Sequence, residues 1–263
     1  MRFTFFKRVT RNRLKRRMRE KKSMRIWERI EFLGPVRPGY SQIWDLQKRR
    51  VDEVAAGTAR EAIFFCEHES VVTMGRRTDE QNVLPSVTLP IYEIERGGDA
   101  TWHGPGQLVV YPILKLNGEI LKFGLHEYLR FGEEAVIQSF NEFGLETGRH
   151  GPTGVWVKRK NGEVKKIASM GIAVRKWITY HGLSINLRND FDGFDQIRPC
   201  NFDSGVMTSA KNEGLDISLK DFAVEMENQM MKILGIDTLL NCNPLLFPSS
   251  VSRSKSGSDR ATQ

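Results

Sequence analysis

Cysteine is scarce in this sequence, and its spacing speaks against two common kinds of site. The 263 residues contain three cysteines, Cys66, Cys200 and Cys242. Because their number is odd and they lie far apart, the sequence shows neither a disulfide framework nor a CxxC zinc site. A metal site of mixed His and Cys ligands stays open, but no spacing indicates one, and we expect no metal.

The sequence also lacks a long apolar run. No stretch approaches the roughly eighteen apolar residues that suggest a membrane span. No apolar segment with a small-residue cleavage site opens the chain. With 40 % apolar and 27 % charged residues, the composition is typical of a soluble globular protein. We therefore expect a cytoplasmic protein without a membrane partner.

Acidic residues are nearly missing from the first 25 positions, which hold twelve Lys or Arg residues and one acid, Glu20. The other 238 residues hold 28 basic and 31 acidic residues, so the net charge of +8 belongs to this extension. Such a run is typical of a disordered arm. Nucleic-acid binding, a transit peptide and translation that starts at Met24 are the alternatives. Since the other 238 residues are nearly neutral, nucleic acid is a disfavoured partner.

The apolar pattern predicts an α/β fold in one domain over residues 26–247, followed by a polar, disordered tail over 248–263. Strands are predicted at 26–32, 62–66, 70–74, 91–95, 107–116, 154–158 and 178–187. A further strand is predicted to return from the turn at Asn161-Gly162 and to end at about 175. Helices are predicted from an N-cap at Ser41 to Gly57, over about 125–143, and over 218–234. The second helix has a predicted inner stripe of Leu125, Leu129, Val136, Phe140 and Phe143. Asn161-Gly162 is a strong hairpin signal.

Residues 96–107, RGGDATWHGPGQ, place four glycines and a proline among residues that include an Arg, a Trp and a His. Such a composition suits a backbone that a ligand approaches closely. The segment contains neither GxxxxGK[ST] nor GxGxxG, so no motif indicates a nucleotide. Its backbone N–H groups suit a carbonyl oxyanion or a polar pocket wall. A connection that is merely tight is the alternative.

A strand around KKIASMGIAV holds a lysine of interest. Period-two alternation predicts that Lys166 lies on the apolar face, with Ala168, Met170, Ile172 and Val174. If that face points inward, burial disfavours the ammonium and makes the lysine available as a base. A lysine that snorkels to solvent is the alternative.

The next strand and the loop that follows it hold two further candidates. Alternation predicts that His181 shares a face with Leu183, Ile185 and Leu187, either as a hydrogen-bonded core residue or as part of a site. Cys200 follows a proline and precedes a polar turn, where a basic partner would stabilise a nucleophilic thiolate. Cys66, within the apolar run AIFFC, is predicted to be an inert core residue, and Cys242 to be incidental.

Several motifs together, in this order, resemble one family. IFFCEHESVVTMGRR, RGGDATWHGPGQLVVYPILKL, GPTGVWV, KKIASMGIAVRKWITYHGLSINL and IRPC resemble the motifs of the lipoyl-pathway octanoyltransferases over residues 26–210. The resemblance implies an α/β fold with a larger and a smaller mixed sheet, as in the catalytic domains of lipoate and biotin protein ligases. One departure is Arg198, where the family usually has Asn before the Pro-Cys pair.

The resemblance implies an enzyme that moves an octanoyl group from acyl carrier protein to a lysine of lipoyl domains. These acceptors belong to 2-oxoacid dehydrogenases and the glycine cleavage H protein. Cys200 would be the nucleophile and Lys166 its acid/base partner, with no metal, ATP or redox cofactor. Substrate contacts are expected at Arg96, Gly97, Gly98, Asp99, Ala100, Thr101, Trp102, His103, Ser169, Met170, Gly171, His181 and Gly182, with Gly104 and Gly106 in the same loop. An ATP-dependent lipoate or octanoate ligase of the same fold is the alternative.

Overall fold

A computed structural model describes residues 26–118, 121–198 and 204–236 of the chain. The predicted arm, the predicted tail and Cys242 lie outside these ranges, so the domain boundaries stay predictions.

The strands are β1 (Glu28–Phe32), β2 (Ala62–Cys66), β3 (Val71–Met74), β4 (Ile91–Glu93), β5 (Thr101–His103), β6 (Gln107–Ile113), β7 (Val155–Lys158), β8 (Val164–Arg175) and β9 (Ile178–Asn186). The helices are α1 (Tyr40–Ala56), α2 (Leu125–Glu142) and α3 (Leu219–Ile233). None of these helices is long and apolar enough to cross a bilayer.

The strands form two mixed sheets, which confirms the predicted fold class. The larger sheet has the order β1-β2-β6-β9-β8-β7, in which β1 and β2 are parallel and the other neighbours antiparallel. The smaller sheet has the order β4-β3-β5, with β3 parallel to β4 and antiparallel to β5.

The helices cover both faces of the larger sheet. The main core lies between one face and helices α2 and α3, where Phe140 and Phe222 pack with ring centroids 4.6 Å apart. On the other face, Ile43 and Val51 of α1 pack against Phe64 and Tyr111. Burial of both faces accounts for the continuous apolar runs of β2 and β6, because neither strand has a solvated side.

Helix ends show where local capping differs from the prediction. Helix α1 begins at Tyr40 with Gly39 as N-cap, and the Gly39 N–H donates to Gln42 Oε1 at 3.1 Å. Ser41 is exposed inside the first turn, so the prediction that it caps the helix was wrong. The stop at Gly57 is confirmed, since this residue has the left-handed φ of 73° typical of a helix end.

The predicted stripe of α2 is wrong at its first residue. Leu125 is 49 % exposed, because the helix meets the core only from Tyr128 and Phe131 onward. At α3, Ser218 is the N-cap, since its Oγ accepts the Asp221 N–H at 3.1 Å.

A short strand within the glycine-rich segment was not predicted. Strand β5 has three residues and pairs with β3, so that Val71 lies opposite His103. Three residues between glycines are too few for a period-two pattern to be recognised. This pairing joins the glycine-rich segment to the smaller sheet.

Candidate active site

A cavity lies where the glycine-rich segment meets strands β8 and β9. It encloses about 940 Å³ between its lining atoms, including the part open to solvent. Eleven residues expected at the substrate line it, together with the predicted acid/base residue Lys166: Arg96, Gly98, Asp99, Ala100, Thr101, His103, Ser169, Met170, Gly171, His181 and Gly182. The structure therefore brings together side chains that are up to 86 positions apart in the sequence.

Two residues expected at the substrate, Gly97 and Trp102, do not line the cavity. Trp102 is 1 % exposed and packs on Phe194 with ring centroids 5.2 Å apart. It turns away from the cavity because a Cβ at Gly104 or Gly193 would come within about 2 Å of its ring, so these glycines make room for the indole. Gly97 acts through its backbone, since its N–H donates to Ile172 O at 2.9 Å.

The predicted nucleophile, Cys200, lies outside the described residues, so its position stays a prediction. The described chain before it is held by the Arg198 N–H, which donates to Asn82 O at 2.8 Å. The described chain after it runs beside β8, where the Thr208 N–H donates to Lys166 O at 2.9 Å. Val206 and Met207 of this segment line the cavity.

Lys166 reaches the cavity because β8 contains a bulge. Val155 pairs with Ala168 and Trp156 with Lys166, so Ile167 is an extra residue in the ladder. Ile167 and Ala168 both pack into the main core. The alternation therefore reverses at this point, and Lys166 shares the cavity wall with Ser169 and Gly171. The prediction that Lys166 lies on the face of Ala168 was wrong, although its burial is confirmed, with 6 % exposed.

The Lys166 side chain lies close to an aromatic ring and to a glycine. Its Nζ is 5.3 Å from the centroid of the Trp156 ring, a distance at which a cation is attracted to the ring. A Cβ built on Gly154 would lie 2.7 Å from Lys166 Cε. The Gly154 N–H is fixed by Glu133 Oε1 at 3.0 Å. Gly154 was not predicted as a site residue, although it belongs to the GPTGVWV motif.

Gly154→Ala should reduce catalysis by at least about tenfold, because misplacing a reacting group by about an ångström is costly. The new methyl would displace Lys166, and the φ of 134° would add backbone strain. Gly162→Ala is the matched control: its φ is 87°, and no atom lies within 4 Å of the added Cβ. Initial rates and thermal melts of both variants check this. Equal rate losses in the two variants would show that strain alone is responsible.

His181 owes its position to a left-handed backbone. Its φ is 56°, whereas no other residue of β9 has a positive φ. Its N–H leaves the ladder and donates to Gln47 Oε1 of α1 at 2.8 Å, while Nε2 lies 3.3 Å from Glu95 Oε2. The predicted shared face with Leu183 was therefore wrong, because the left-handed residue interrupts the alternation and directs His181 toward α1. Burial lowers the pKa of His181 to about 4.

His103 is held in one tautomer by a chain of amides. Gln107 Nε2 donates to Asn186 Oδ1 at 2.9 Å, and Asn186 Nδ2 donates to Thr208 O at 3.0 Å. Gln107 Oε1 therefore faces His103 Nδ1, at 2.7 Å, as an acceptor. Burial lowers the pKa of His103 to about 3. The imidazole is thus neutral at pH 7, with its proton on Nδ1 and an acceptor lone pair on Nε2.

Arg96 organises the glycine-rich segment. Its Nη2 donates to Thr73 O and its Nη1 to Asp99 O, both at 2.6 Å. Asp99 is fixed in turn, since its Oδ2 accepts from Asn82 Nδ2 at 2.7 Å. A charged guanidinium that binds backbone carbonyls sets the shape of a loop. Arg96 thus ties the segment to β3 at the edge of the cavity.

Two further residues line the cavity, and no pattern in the sequence predicts them as site residues. Tyr40 and Tyr111 form the back wall, where Tyr111 Oη lies 2.8 Å from His68 Nε2. Burial raises the pKa of Tyr40. Tyr40 is the first residue of α1 and Tyr111 lies in an apolar strand, so their polar ends converge only through the tertiary fold.

The cavity combines an apolar wall with a polar one. Val109, Met170, Leu183 and Met207 supply the apolar part, and the glycine-rich segment with Lys166 supplies the polar part. Such a lining suits a ligand with a hydrocarbon chain and a carbonyl group. Within the described ranges, no group of three or more His, Cys, Asp or Glu side chains is placed to hold a metal ion.

Comparison with known families agrees with this lining. A family model described as the lipoyl protein ligase A/B catalytic domain matches residues 39–231. The chain belongs to this family. The matched range contains every residue that lines the cavity, from Tyr40 to Met207.

Curated relatives place the enzyme among the octanoyltransferases. A probable octanoyltransferase of Pyrobaculum arsenaticum is 44 % identical over 189 residues, which cover 72 % of this chain and 83 % of that protein. The octanoyltransferase of Neorickettsia sennetsu is 38 % identical over 190 residues, or 72 % of this chain and 90 % of that protein. The enzyme is accordingly an acyltransferase of this group.

Solved structures share the fold at low identity. A putative lipoate protein ligase from T. acidophilum is 18 % identical, with a TM-score of 0.60 over 80 % of this chain and 87 % of that chain. A lipoate-protein ligase A bound with ATP is 16 % identical, with a TM-score of 0.60 over the same shares of the two chains. At these identities the likeness concerns the fold alone.

Proposed function

We propose that the enzyme transfers an octanoyl group from octanoyl-acyl carrier protein to a specific lysine of lipoyl domains, through a thioester on Cys200. This transfer is the first step of protein lipoylation. The observation that carries the proposal is Lys166, a buried amine on the wall of a half-apolar cavity. The names of the curated relatives support the octanoyl group.

The first half of the reaction forms the acyl-enzyme. Lys166 takes the proton of the Cys200 thiol, and the sulfur attacks the thioester carbonyl of the acylated carrier. The carrier sulfur leaves and takes up a proton, so one thioester replaces another at nearly equal free energy. An activated partner matters because a free cysteine is only a few per cent thiolate at pH 7.

The second half forms the product amide. The neutral ε-amine of the acceptor lysine attacks the Cys200 thioester, the bond to sulfur breaks, and the amine proton returns through Lys166 to the thiol. An amide is more stable than a thioester, which makes this step downhill. The acceptor lysines would be those of 2-oxoacid dehydrogenase lipoyl domains and of the glycine cleavage H protein.

The resemblance to the octanoyltransferases implies acidic protein partners, whose docking would use basic residues near the cavity mouth. Arg77 lines the cavity directly, and Arg76 precedes it. Lys158, Arg159 and Lys160 form a second basic cluster, but Arg159 binds Glu213 at 2.5 Å and Glu163 at 2.8 Å, so its charge is already compensated. We therefore assign docking to Arg76 and Arg77 rather than to the cluster around Arg159.

Intact-mass measurement after incubation with octanoyl-acyl carrier protein tests the acyl-enzyme. The wild type is expected to gain one octanoyl adduct that hydroxylamine removes, because hydroxylamine cleaves thioesters, and Cys200→Ser is expected to gain no hydroxylamine-sensitive adduct. Cys66→Ala is the matched control, because Cys66 is fully buried and burial raises the pKa of its thiol. A hydroxylamine-sensitive adduct that persists in Cys200→Ser would overturn the assignment of Cys200.

An ATP-dependent lipoate or octanoate ligase is the second candidate, favoured by the shared fold with a ligase bound to ATP. That reaction uses free octanoate, requires ATP and survives the loss of Cys200. Octanoylation of a lipoyl domain by free octanoate and ATP, with no activity from the acylated carrier, would establish the ligase instead. Nucleic-acid binding by residues 1–25 concerns a segment outside the described ranges and stays a remote alternative.

A further inference from the structure

One wall of the cavity is a loop between α2 and β7, residues 149–154, which we call the wall loop. Pro152 and Thr153 line the cavity. The next residue, Gly154, packs against Lys166, since an added Cβ would lie 2.7 Å from Lys166 Cε and 3.4 Å from its Nζ. The position of the wall loop therefore shapes the surroundings of the proposed base.

The wall loop also supports the aromatic ring beside the amine. Trp156 Nε1 donates to Pro152 O at 2.8 Å, and Lys166 Nζ lies 5.3 Å from the centroid of the Trp156 ring. At the base of the loop, Gly148 and Trp156 exchange two backbone hydrogen bonds, both of 2.8 Å. A shift of the wall loop would thus move the indole as well as the glycine against which Lys166 packs.

One buried carboxylate holds the wall loop to α2. Glu133 is 1 % exposed. Its Oε1 accepts the Gly154 N–H at 3.0 Å, and its Oε2 accepts the Arg149 Nε–H at 2.8 Å. Arg130 Nη1 donates to the same Oε2 at 2.6 Å. Both ends of the wall loop are therefore fixed by a side chain that does not itself line the cavity.

This arrangement needs the carboxylate form of Glu133. Burial alone would raise the pKa of Glu133, but the hydrogen bonds from Gly154, Arg149 and Arg130 outweigh burial and lower the pKa. The group is therefore charged at pH 7. A carboxylate accepts hydrogen bonds at both oxygens, whereas a glutamine amide has one oxygen and one NH2 group. Glutamine at this position would leave a buried donor that faces either the Gly154 N–H or the arginines, and such a contact is costly.

We propose that Glu133 is a positioning residue for the transfer, which holds the wall loop and through it keeps the Lys166 amine where it acts on the reacting groups. The inference rests on the proposed function, because it concerns the support of the base assigned there. Buried ion pairs are often no more stabilising than apolar residues of the same volume. Stability alone therefore does not account for the carboxylate.

Glu133→Gln should slow formation of the octanoyl adduct by at least about tenfold, because misplacing a reacting group by about an ångström is costly. The measurement is the single-turnover rate at saturating octanoyl-acyl carrier protein, followed by intact mass. Saturating carrier removes any change in binding, so the rate reports the chemical step. Thermal melts show that the variant is folded.

Glu227→Gln is the matched control. Glu227 of α3 is also buried, and its bonding is of the same kind, since Oε1 accepts Trp27 Nε1–H at 3.0 Å and Oε2 accepts Arg29 Nη1–H at 2.6 Å. Neither of these partners lines the cavity. Glu227→Gln should therefore lower the melting temperature as Glu133→Gln does, but react at the wild-type rate. Equal rate losses in the two variants would refute the positioning role.

A double-mutant cycle shows whether Glu133 acts through Lys166. In the Lys166→Met background, Glu133→Gln should lower the residual rate by no more than about twofold, because residues that act as one unit have non-additive effects. A loss as large as in the wild-type background would show that Glu133 acts independently of Lys166, and would overturn the proposal.

Arg149→Met tests the same loop if Glu133→Gln does not fold. The Arg149 side chain is 34 % exposed, so its removal costs the fold less, yet it ties the wall loop to Glu133 and to Arg130 O. Adduct formation should slow by at least about threefold. A wild-type rate for folded Arg149→Met would contradict the proposal.

Failure of this inference and failure of the proposed function give different results. A wild type that forms no octanoyl adduct contradicts the proposed function. A wild type that forms the adduct, with a folded Glu133→Gln variant that reacts equally fast, refutes the positioning role alone.

Discussion

Lys166→Met should reduce octanoyl transfer by about 10²- to 10⁴-fold, the range that a positioned acid/base group contributes. Methionine keeps the length and apolar stem of the side chain and removes the amine, so packing around Trp156 is preserved. The amine itself is needed in both halves of the proposed reaction, since it takes the Cys200 proton and later returns one. Single-turnover formation of the octanoyl adduct measures the first half separately.

Two further variants show whether Lys166 acts as a base or only supplies a positive charge. Lys166→Arg keeps the charge, but a guanidinium does not lose a proton in proteins, so its rate should also fall by at least about a hundredfold. Lys220→Met is the matched control on the exposed surface of α3. A near-normal rate for Lys166→Arg would contradict the base role and leave only a requirement for charge. A loss in Lys220→Met would point to a general effect of removing lysines.

The regular parts of the fold could be predicted from the sequence because each is set by a local pattern. Buried strands such as β2 follow from short apolar runs, and the β7-β8 hairpin follows from Asn161-Gly162. The described turn confirms this signal, since Gly162 has a φ of 87° and the strands on either side are paired. The predicted N-cap at Ser41 was wrong because Gly39, with the Gln42 side-chain amide, supplies the cap two residues earlier.

The residues of the site could be predicted from the sequence motifs, whereas the directions of their side chains could not. Period-two alternation placed Lys166 and His181 on the wrong faces, for related reasons. Ile167 adds a residue to one strand of a pair, and His181 takes a left-handed backbone, so in each strand the alternation changes at one residue. Neither irregularity can be recognised from the residue types at these positions, because the neighbouring strands and helices impose both of them. Strand irregularities next to an active site redirect side chains, and here they bring both residues to one cavity.

Acidification should destabilise the fold well above the pH at which carboxylates are protonated. Burial lowers the pKa of His68 to about 4, of His103 to about 3 and of His181 to about 4. In the unfolded chain a histidine has a pKa near 6.5. Between pH 6.5 and 4 the unfolded chain therefore binds more protons than the native protein, and the free energy of unfolding falls as the pH falls. The stability present above pH 6.5 is lost progressively below it.

The expected loss is large because three buried histidines act together. Each contributes up to about 1.4 kcal/mol per pH unit below 6.5, so stability should fall by roughly 4 to 6 kcal/mol between pH 7 and pH 5. Guanidinium denaturation at pH 7, 6 and 5 measures this loss. His126→Gln and His150→Gln, on the exposed surface, should leave the slope unchanged. Stability that stays constant from pH 7 to pH 5 would show that the three imidazoles become protonated within the native fold, and the neutral tautomer assigned to His103 would then be wrong.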